Sequence, residues 1–296
     1  MKKRILTAVA IAGIAALALT GCVDNSGGSA AKDTTSGSAV SVDQAAADLL
    51  PADIAKSGVL TIGIDPTYPP NEYKDDAGNP VGWDVELADA MAAKLGLKTE
   101  YTVSAFANII PSVEGGALNM GLSSFTDTAE REKTVDFVDY YQAGILWASA
   151  AGNKVDPDNA CGLKVAVQAT TYEDTDEVPA KSAACVEAGK PAITIVPFDT
   201  QDAATAAVTL GQVDAMSADS PVTSAAIAAS KGKLQAAGSS FEVAPYGYVI
   251  AKGSKLVQAV QAALQSLIDD GTYLKILNNA GEADGAITKA TVNAGS

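Results

Sequence analysis

The chain has 296 residues, a formal charge of −15, 48% hydrophobic residues and no histidine. An acidic balance without a basic stripe excludes nucleic-acid binding, because the phosphate backbone would be repelled. The lack of imidazole removes serine and cysteine triads built on it and histidine-based zinc sites, and neither a Walker loop nor a dinucleotide fingerprint is present.

Lys2, Lys3 and Arg4 precede an apolar run at 5–19 that is short for a membrane span and is followed by small residues. This is the pattern of a signal peptide. Its end, Leu19-Thr20-Gly21-Cys22, resembles the bacterial lipobox, in which residues 1–21 are removed and Cys22 is acylated. Several acyl chains on Cys22 would anchor the protein to the extracytoplasmic face of the cell membrane. Loss of the three leader cations moves the formal charge from −15 to −18. Residues 22–45, rich in Ser, Ala, Thr and Gly, are expected to be a flexible tether.

About 250 residues remain, enough for two lobes of ordinary size. Residues 59–64 read as a buried strand, and Val85, Leu87, Ala88, Met91 and Leu95 recur at helical spacing beyond a turn at 75–80. A strand at 100–103, a helix at 109–114, a strand at 120–123 and a helix opening near Thr128 follow. A second block begins after Gly152. It alternates strand 163–168, helix 178–187, strand 193–196, helix 200–210, strand 215–217 and a helix at 221–230. A strand at 246–251 and helices at 256–270 and 273–279 close the chain. The alternation predicts α/β sheets in two facing blocks. With Cys22 spent on lipid, Cys161 and Cys185 are an even pair in an oxidising compartment, which predicts a disulfide. The acidic run 173–177 lacks EF-hand spacing and reads as a solvated helix face, so no metal site is expected.

Ligands of open α/β sheets bind beyond the carboxyl ends of the strands. After the strand at 120–123 the chain reads Ser123-Ser124-Phe125-Thr126-Asp127-Thr128-Ala129-Glu130-Arg131. Hydroxyls and a guanidinium at a helix start suit an anion, although an ordinary cap with a surface arginine has the same composition.

This segment resembles the carboxylate clamp of the family 3 extracellular solute-binding proteins, the polar amino-acid receptors of ABC importers. The match is carried by Thr128-Ala129-Glu130-Arg131 and by Val135-Asp136-Phe137-Val138-Asp139-Tyr140-Tyr141, and the likeness runs from about Lys56 to Ala280. The resemblance implies a two-lobed, type II periplasmic-binding-protein fold. Lobe 1 would comprise 46–145 and 248–296, and lobe 2 residues 146–247. Two crossing segments, about 142–150 and 244–252, would form the hinge.

Carried over by position, the family pattern assigns the ligand α-carboxylate to Arg131, with Ser124 and Thr126 beside it. Val167-Gln168-Ala169-Thr170-Thr171 resembles a family strand ending in Gly-Thr-Thr, which implies that Thr170 and Thr171 complete the cradle; Ala169 replaces the usual glycine. Asp219 stands where the family carries the carboxylate for the α-ammonium, and it also suits an N-cap before Pro221. Asp65 would face the far end of the ligand. Tyr68 and Phe106 would sandwich its stem, with core packing as the other reading of both. Asn71 could favour amides, whereas Glu72 and Trp83 read as structural. The implied function is capture of a polar amino acid, basic or amide, by lobe closure and its delivery to ABC permease subunits. The receptor would be a monomer without cofactor or catalysis. A periplasmic dehydratase on the same scaffold and a lipoprotein amino-acid sensor are the alternatives.

Overall fold

The computed structural model describes residues 40–295. The expected signal peptide at 1–21, the Cys22 lipidation site and the tether through 39 lie outside the described residues. The remainder of the expected tether is built into the fold. Val40 packs on the core, and the Asp43 carboxylate accepts from the Ala46 N–H (3.2 Å) to cap helix α1 (Gln44–Ala47), whose Ala46 is buried. The expectation to 45 is therefore a few residues too long, because one aspartate in the polar run supplies a helix cap.

Helix α2 (Ala52–Ser57) leads into strand β1 (Val59–Ile64). A separate three-stranded sheet of β2 (Thr67–Tyr68), β3 (Glu72–Lys74) and β4 (Pro80–Val81) comes next. Helix α3 (Trp83–Lys94), β5 (Lys98–Val103), α4 (Phe106–Glu114) and β6 (Met120–Gly121) complete the first block. The helix expected near Thr128 is only a 3-10 turn at Arg131–Lys133. The Thr128 hydroxyl accepts from the Arg131 N–H (3.2 Å), and the chain then passes directly into strand β7 (Val135–Ala150).

The second block is β8 (Lys164–Gln168), α5 (Val178–Glu187), β9 (Thr194–Phe198), α6 (Gln201–Thr209), β10 (Ala215–Asp219) and α7 (Ser220–Ala229). Strand β11 (Leu234–Ala251), helices α8 (Leu256–Asp269) and α9 (Thr272–Ala280) and strand β12 (Thr291–Val292) follow. The main sheet runs β5-β1-β6-β11-β7-β10-β8-β9, with β12 paired to β7. Strands β1, β5 and β6 are mutually parallel, as are β8, β9 and β10. Their carboxyl ends therefore form one rim in each block.

Strands β7 and β11 belong to both blocks. The first part of β7 pairs with the end of β11 (Val135 with Ala251), and the end of β7 pairs with the start of β11 (Ala150 with Leu234). Their ladder slips between Ala237 and Phe241, between Phe241 and Ala244, and at Tyr246/Gly247. Buried side chains divide at the same place. One set of cores uses residues up to Ala143 and from Tyr246 onward, and the other uses residues between Ile145 and Ala237. Gly144 sits at this crossing, where a Cβ would lie 2.3 Å from the Ser240 hydroxyl and 2.9 Å from the Phe241 carbonyl, so only glycine lets the strands approach.

Helix α8 shows how the first core is sealed. Leu256, Val260, Ala263, Leu264 and Leu267 recur at three- and four-residue spacing and are all buried, each large side chain contributing about 1.5–3 kcal/mol. Cys161 and Cys185 form the expected disulfide, with Cα atoms 5.5 Å apart, tying the approach to β8 to the end of α5. It closes a loop of 24 residues in sequence. Replacing both cysteines by serine is expected to lower stability by about 3 kcal/mol in the loop-entropy account, read by urea denaturation of both forms.

Candidate ligand-binding site

The strand ends of the two blocks meet at one narrow pocket, about 290 Å³ of space not filled by atoms. From the first block, Asp65 follows β1 and is held by three donors. The Thr67 hydroxyl reaches its Oδ1 (2.9 Å), and the Phe106 N–H at the start of α4 reaches Oδ2 (3.1 Å). The third donor is Gln168 Nε2 from the end of β8 in the opposite block, at 3.0 Å from Oδ2.

Arg131 reaches back over the loop that follows β6. Its Nη1 donates to the Thr126 carbonyl (2.7 Å), and its Nη2 donates across the cleft to the Thr170 carbonyl (3.0 Å). The guanidinium lies 5.8 Å from the ring centres of both Phe106 and Phe125, which stack on each other at 4.3 Å. Thr170 adopts a left-handed φ of 65°, the conformation that aims its carbonyl at Arg131. Tyr68 completes the closure: its hydroxyl donates to Asp219 Oδ2 at 2.7 Å and accepts from the Asp219 N–H at 3.2 Å.

The charges do not balance. Asp65, Glu173 and Asp219 line the pocket against a single guanidinium. Burial raises Asp65 above its ordinary value and, with Glu173 nearby, raises Asp219 well above it; burial also raises Glu173. Burial pulls Arg131 down from its ordinary value, opposed by Glu173, Asp176 and Asp219. Each shift has the same cause, charge withdrawn from water with too few counter-charges.

Two further carboxyl pairs hold the Arg131 loop from behind. Ser123 and Ser124 donate to the two oxygens of Glu72 (3.2 and 3.1 Å), and the Tyr140 hydroxyl donates to Asp84 Oδ2 (2.7 Å). Burial and the neighbouring Asp84 raise Glu72 well above its ordinary value, and burial raises Asp84 to about 7. On the other side Asp127 and Asp139 take the C-terminal residues. The Gly295 N–H donates to Asp127 (2.9 Å), and the Thr291 hydroxyl and Ala294 N–H donate to Asp139 (2.9 and 3.3 Å). Burial and the Asp139 charge push Asp127 up to about 8.

Asp65, Tyr68, Phe106, Ser124, Thr126, Arg131, Thr171 and Asp219 all line the pocket. Thr170 is exposed and takes part through its carbonyl alone. The Ser124 hydroxyl is committed to Glu72 and accepts from Asn71 Nδ2 (2.8 Å), and the residue adopts a left-handed φ of 50°. Asn71 is fully buried and accepts from Trp83 Nε1 (2.9 Å); it is structural, which corrects the expectation that it could select amides. Phe106 is paired with Phe125 and Arg131.

Gln168, Tyr172 and Glu173 also line the pocket, and sequence reasoning assigned none of them a role there. The solvated-face reading of 173–177 is corrected by the structure. These residues form a π-helical turn in which Glu173 and Glu177 are each 2% exposed. Glu177 accepts from Trp147 Nε1 (3.1 Å) and the Ser217 hydroxyl (2.9 Å). The available signal was position: Glu173 directly follows Thr170-Thr171-Tyr172, in the loop beyond the strand predicted at 163–168.

Residues 60–282 match the profile of the bacterial extracellular solute-binding proteins, family 3. The arginine-binding protein ArgT of Corynebacterium glutamicum is 42% identical over 247 residues, covering 83% of this chain and 81% of that protein. The lysine/arginine/ornithine-binding periplasmic protein of Escherichia coli is 29% identical over 235 residues, covering 73% and 85%. A solved structure of an ancestral arginine-binding protein bound to arginine aligns with a TM-score of 0.69 at 32% identity, covering 75% of this chain and 97% of that one. The chain belongs to family 3 of the bacterial extracellular solute-binding proteins and has their two-lobed fold. Among the described residues no helix is long and apolar enough to cross a membrane.

The buried carboxyls set a pH dependence. A carboxyl whose folded value lies above its unfolded value keeps its proton more readily in the fold, so its contribution to stability is greatest at low pH. That contribution is lost as pH rises toward the folded value. Glu72, Asp84, Asp127 and Glu177, the last raised by burial to about 8, all act in this sense. The unliganded protein is expected to melt at a higher temperature at pH 5.5 than at pH 8, with Asp127→Asn reducing the difference, as read by calorimetry.

Proposed function

We propose that this solute-binding protein is the extracytoplasmic receptor for a basic amino acid, L-arginine first, and delivers it to the permease subunits of an ABC importer. The observation that carries the reading is the pocket's charge: three buried carboxylates against one guanidinium. L-arginine brings two cations and one anion. It supplies a counter-charge for two carboxylates and a partner for Arg131, whereas a neutral side chain leaves one more carboxylate unpaired and an acidic one adds repulsion. The names of the arginine-binding relatives support the same ligand.

In this reading Arg131 holds the α-carboxylate as a fork, helped by the Ser124 and Thr126 backbone and by Thr171. Asp219 takes the α-ammonium. Asp65, oriented by Thr67, Phe106 and Gln168, takes the guanidinium head, while Tyr68 and Phe106 flank the aliphatic stem. The hinge lies where β7 and β11 cross, within 142–150 and 244–252. Lobe 1, 46–145 and 248–296, then closes on lobe 2, 146–247, by bending at a ladder that already slips. Closure strips water from each ion pair, and the closed surface is what the permease recognises. The receptor works as a monomer, without cofactor or catalysis, tethered by lipid on Cys22.

Titration calorimetry of the purified protein against the twenty amino acids, ornithine, citrulline and prephenate tests the reading. L-arginine is expected to bind, and Arg131→Ala and Asp219→Ala are each expected to weaken it by about 100-fold or more. Binding of no amino acid, or turnover of prephenate, contradicts the assignment.

A further inference from the structure

Glu173 differs from the other pocket carboxylates. Asp65 accepts from three donors and Asp219 from Tyr68, but Glu173 is 2% exposed and its Oε1 has no hydrogen-bond partner. An acceptor left bare in the interior is costly unless something else supplies the donor.

The backbone accounts for its placement. In the π turn the Val178 N–H reaches the Glu173 carbonyl, and the wider winding brings residues 173 and 177 inward together. Glu177 is consumed by Trp147 and Ser217, which leaves Glu173 as the inward carboxylate of this turn that faces the pocket. The groups that sense its charge are Asp219 of β10, Arg131 and Tyr68 from the facing block, Tyr246 of β11, and Asp174 and Glu177 of its own turn. Glu173 therefore faces the pocket that Asp219, Arg131 and Tyr68 also line.

We propose that Glu173 is the second carboxylate of the α-ammonium seat, paired with Asp219 across the cation, and that it makes a free α-amino group a requirement for binding. An ammonium has three N–H donors, enough for Asp219, Glu173 and one further oxygen. Without a cation between them, two neighbouring buried carboxyls hold a proton; the ammonium displaces it. Burial raising both groups agrees with this exchange. The proposal rests on the reading of the pocket as an amino-acid site with the α-ammonium at Asp219.

The test compares L-arginine with 5-guanidinopentanoate, which keeps the carboxylate, stem and guanidinium and lacks only the α-ammonium. Both are titrated by calorimetry into wild type and Glu173→Gln, in buffers of different ionisation enthalpy so that proton release is read as well. Glu173→Gln is expected to weaken L-arginine by about 10- to 100-fold while changing 5-guanidinopentanoate by less than about threefold. The wild type is expected to release protons on binding L-arginine, and the variant fewer.

Equal losses for both compounds point to a merely structural glutamate, and an unchanged L-arginine affinity to one the ligand does not touch; either overturns the proposal. If the desamino compound binds too weakly to measure, unchanged proton release in the variant overturns it and diminished release supports it. Should Glu173→Gln not fold, Glu173→Asp decides: selectivity for the α-amino compound retained at lower affinity supports the seat, and loss of that selectivity with folding intact overturns it. A wild type that binds neither compound removes the arginine reading on which this proposal rests, and that result is visible before any variant is made.

Discussion

Asp65, Glu173 and Asp219 are 4%, 2% and 7% exposed, and Arg131 is the cation that lines the pocket with them. Carboxylates withdrawn from water in this ratio must take up protons or find cations, because neither mutual repulsion nor lost hydration is offset by the protein itself. That unmet demand makes the cleft a receptor for positive charge. It also orders the rest of the site: a fork for one carboxylate, surrounded by acceptors for two cations, is the complement of a basic amino acid.

The scaffold serves this arrangement by keeping the charged groups on separate blocks. Asp65 and Arg131 belong to the first, while Gln168, Glu173 and Asp219 belong to the second. Each block has its own buried core, and two long strands, β7 and β11, connect them. Behind the Arg131 loop, Glu72 with Asp84 and Asp127 with Asp139 use serine hydroxyls, a tyrosine and the C-terminal backbone to fix Ser123, Ser124 and Asp127. A loop so braced presents Arg131 and the Thr126 carbonyl in one geometry, which conserves binding energy otherwise lost to ordering.

The parts of this design visible in the sequence were those with a local signature. Polar residues beyond the apolar strand segments marked the loops to watch, and the resemblance to family 3 assigned Asp65, Ser124, Thr126, Arg131, Thr171 and Asp219 within them; all six line the pocket. Helices whose apolar residues recur at helical spacing, such as α3 and α8, were legible for the same reason. Features decided by tertiary contact were not. Asp136, Asp139 and Gln142 interrupt the apolar run of β7, hiding a 16-residue strand whose acids are paid for by Asn293, Thr291 and Ala294 far along the chain. The five-residue run at 173–177 has the composition of a solvated face, and only the π winding turns two of its glutamates inward. Asn71 carries no local sign that its amide will be divided between Trp83 and Ser124.

If the excess of buried carboxylate is what selects the ligand, the most direct measurement is the ratio of affinities for L-arginine and L-citrulline. The two have nearly the same shape and differ in the charge of the head group. Calorimetry at 0.15 M salt, an ionic strength of about that in cells, is predicted to show L-arginine binding about 10- to 100-fold more tightly, the worth of a charge-assisted hydrogen bond in a closed site. Equal affinities, or tighter binding of L-citrulline, would contradict the account.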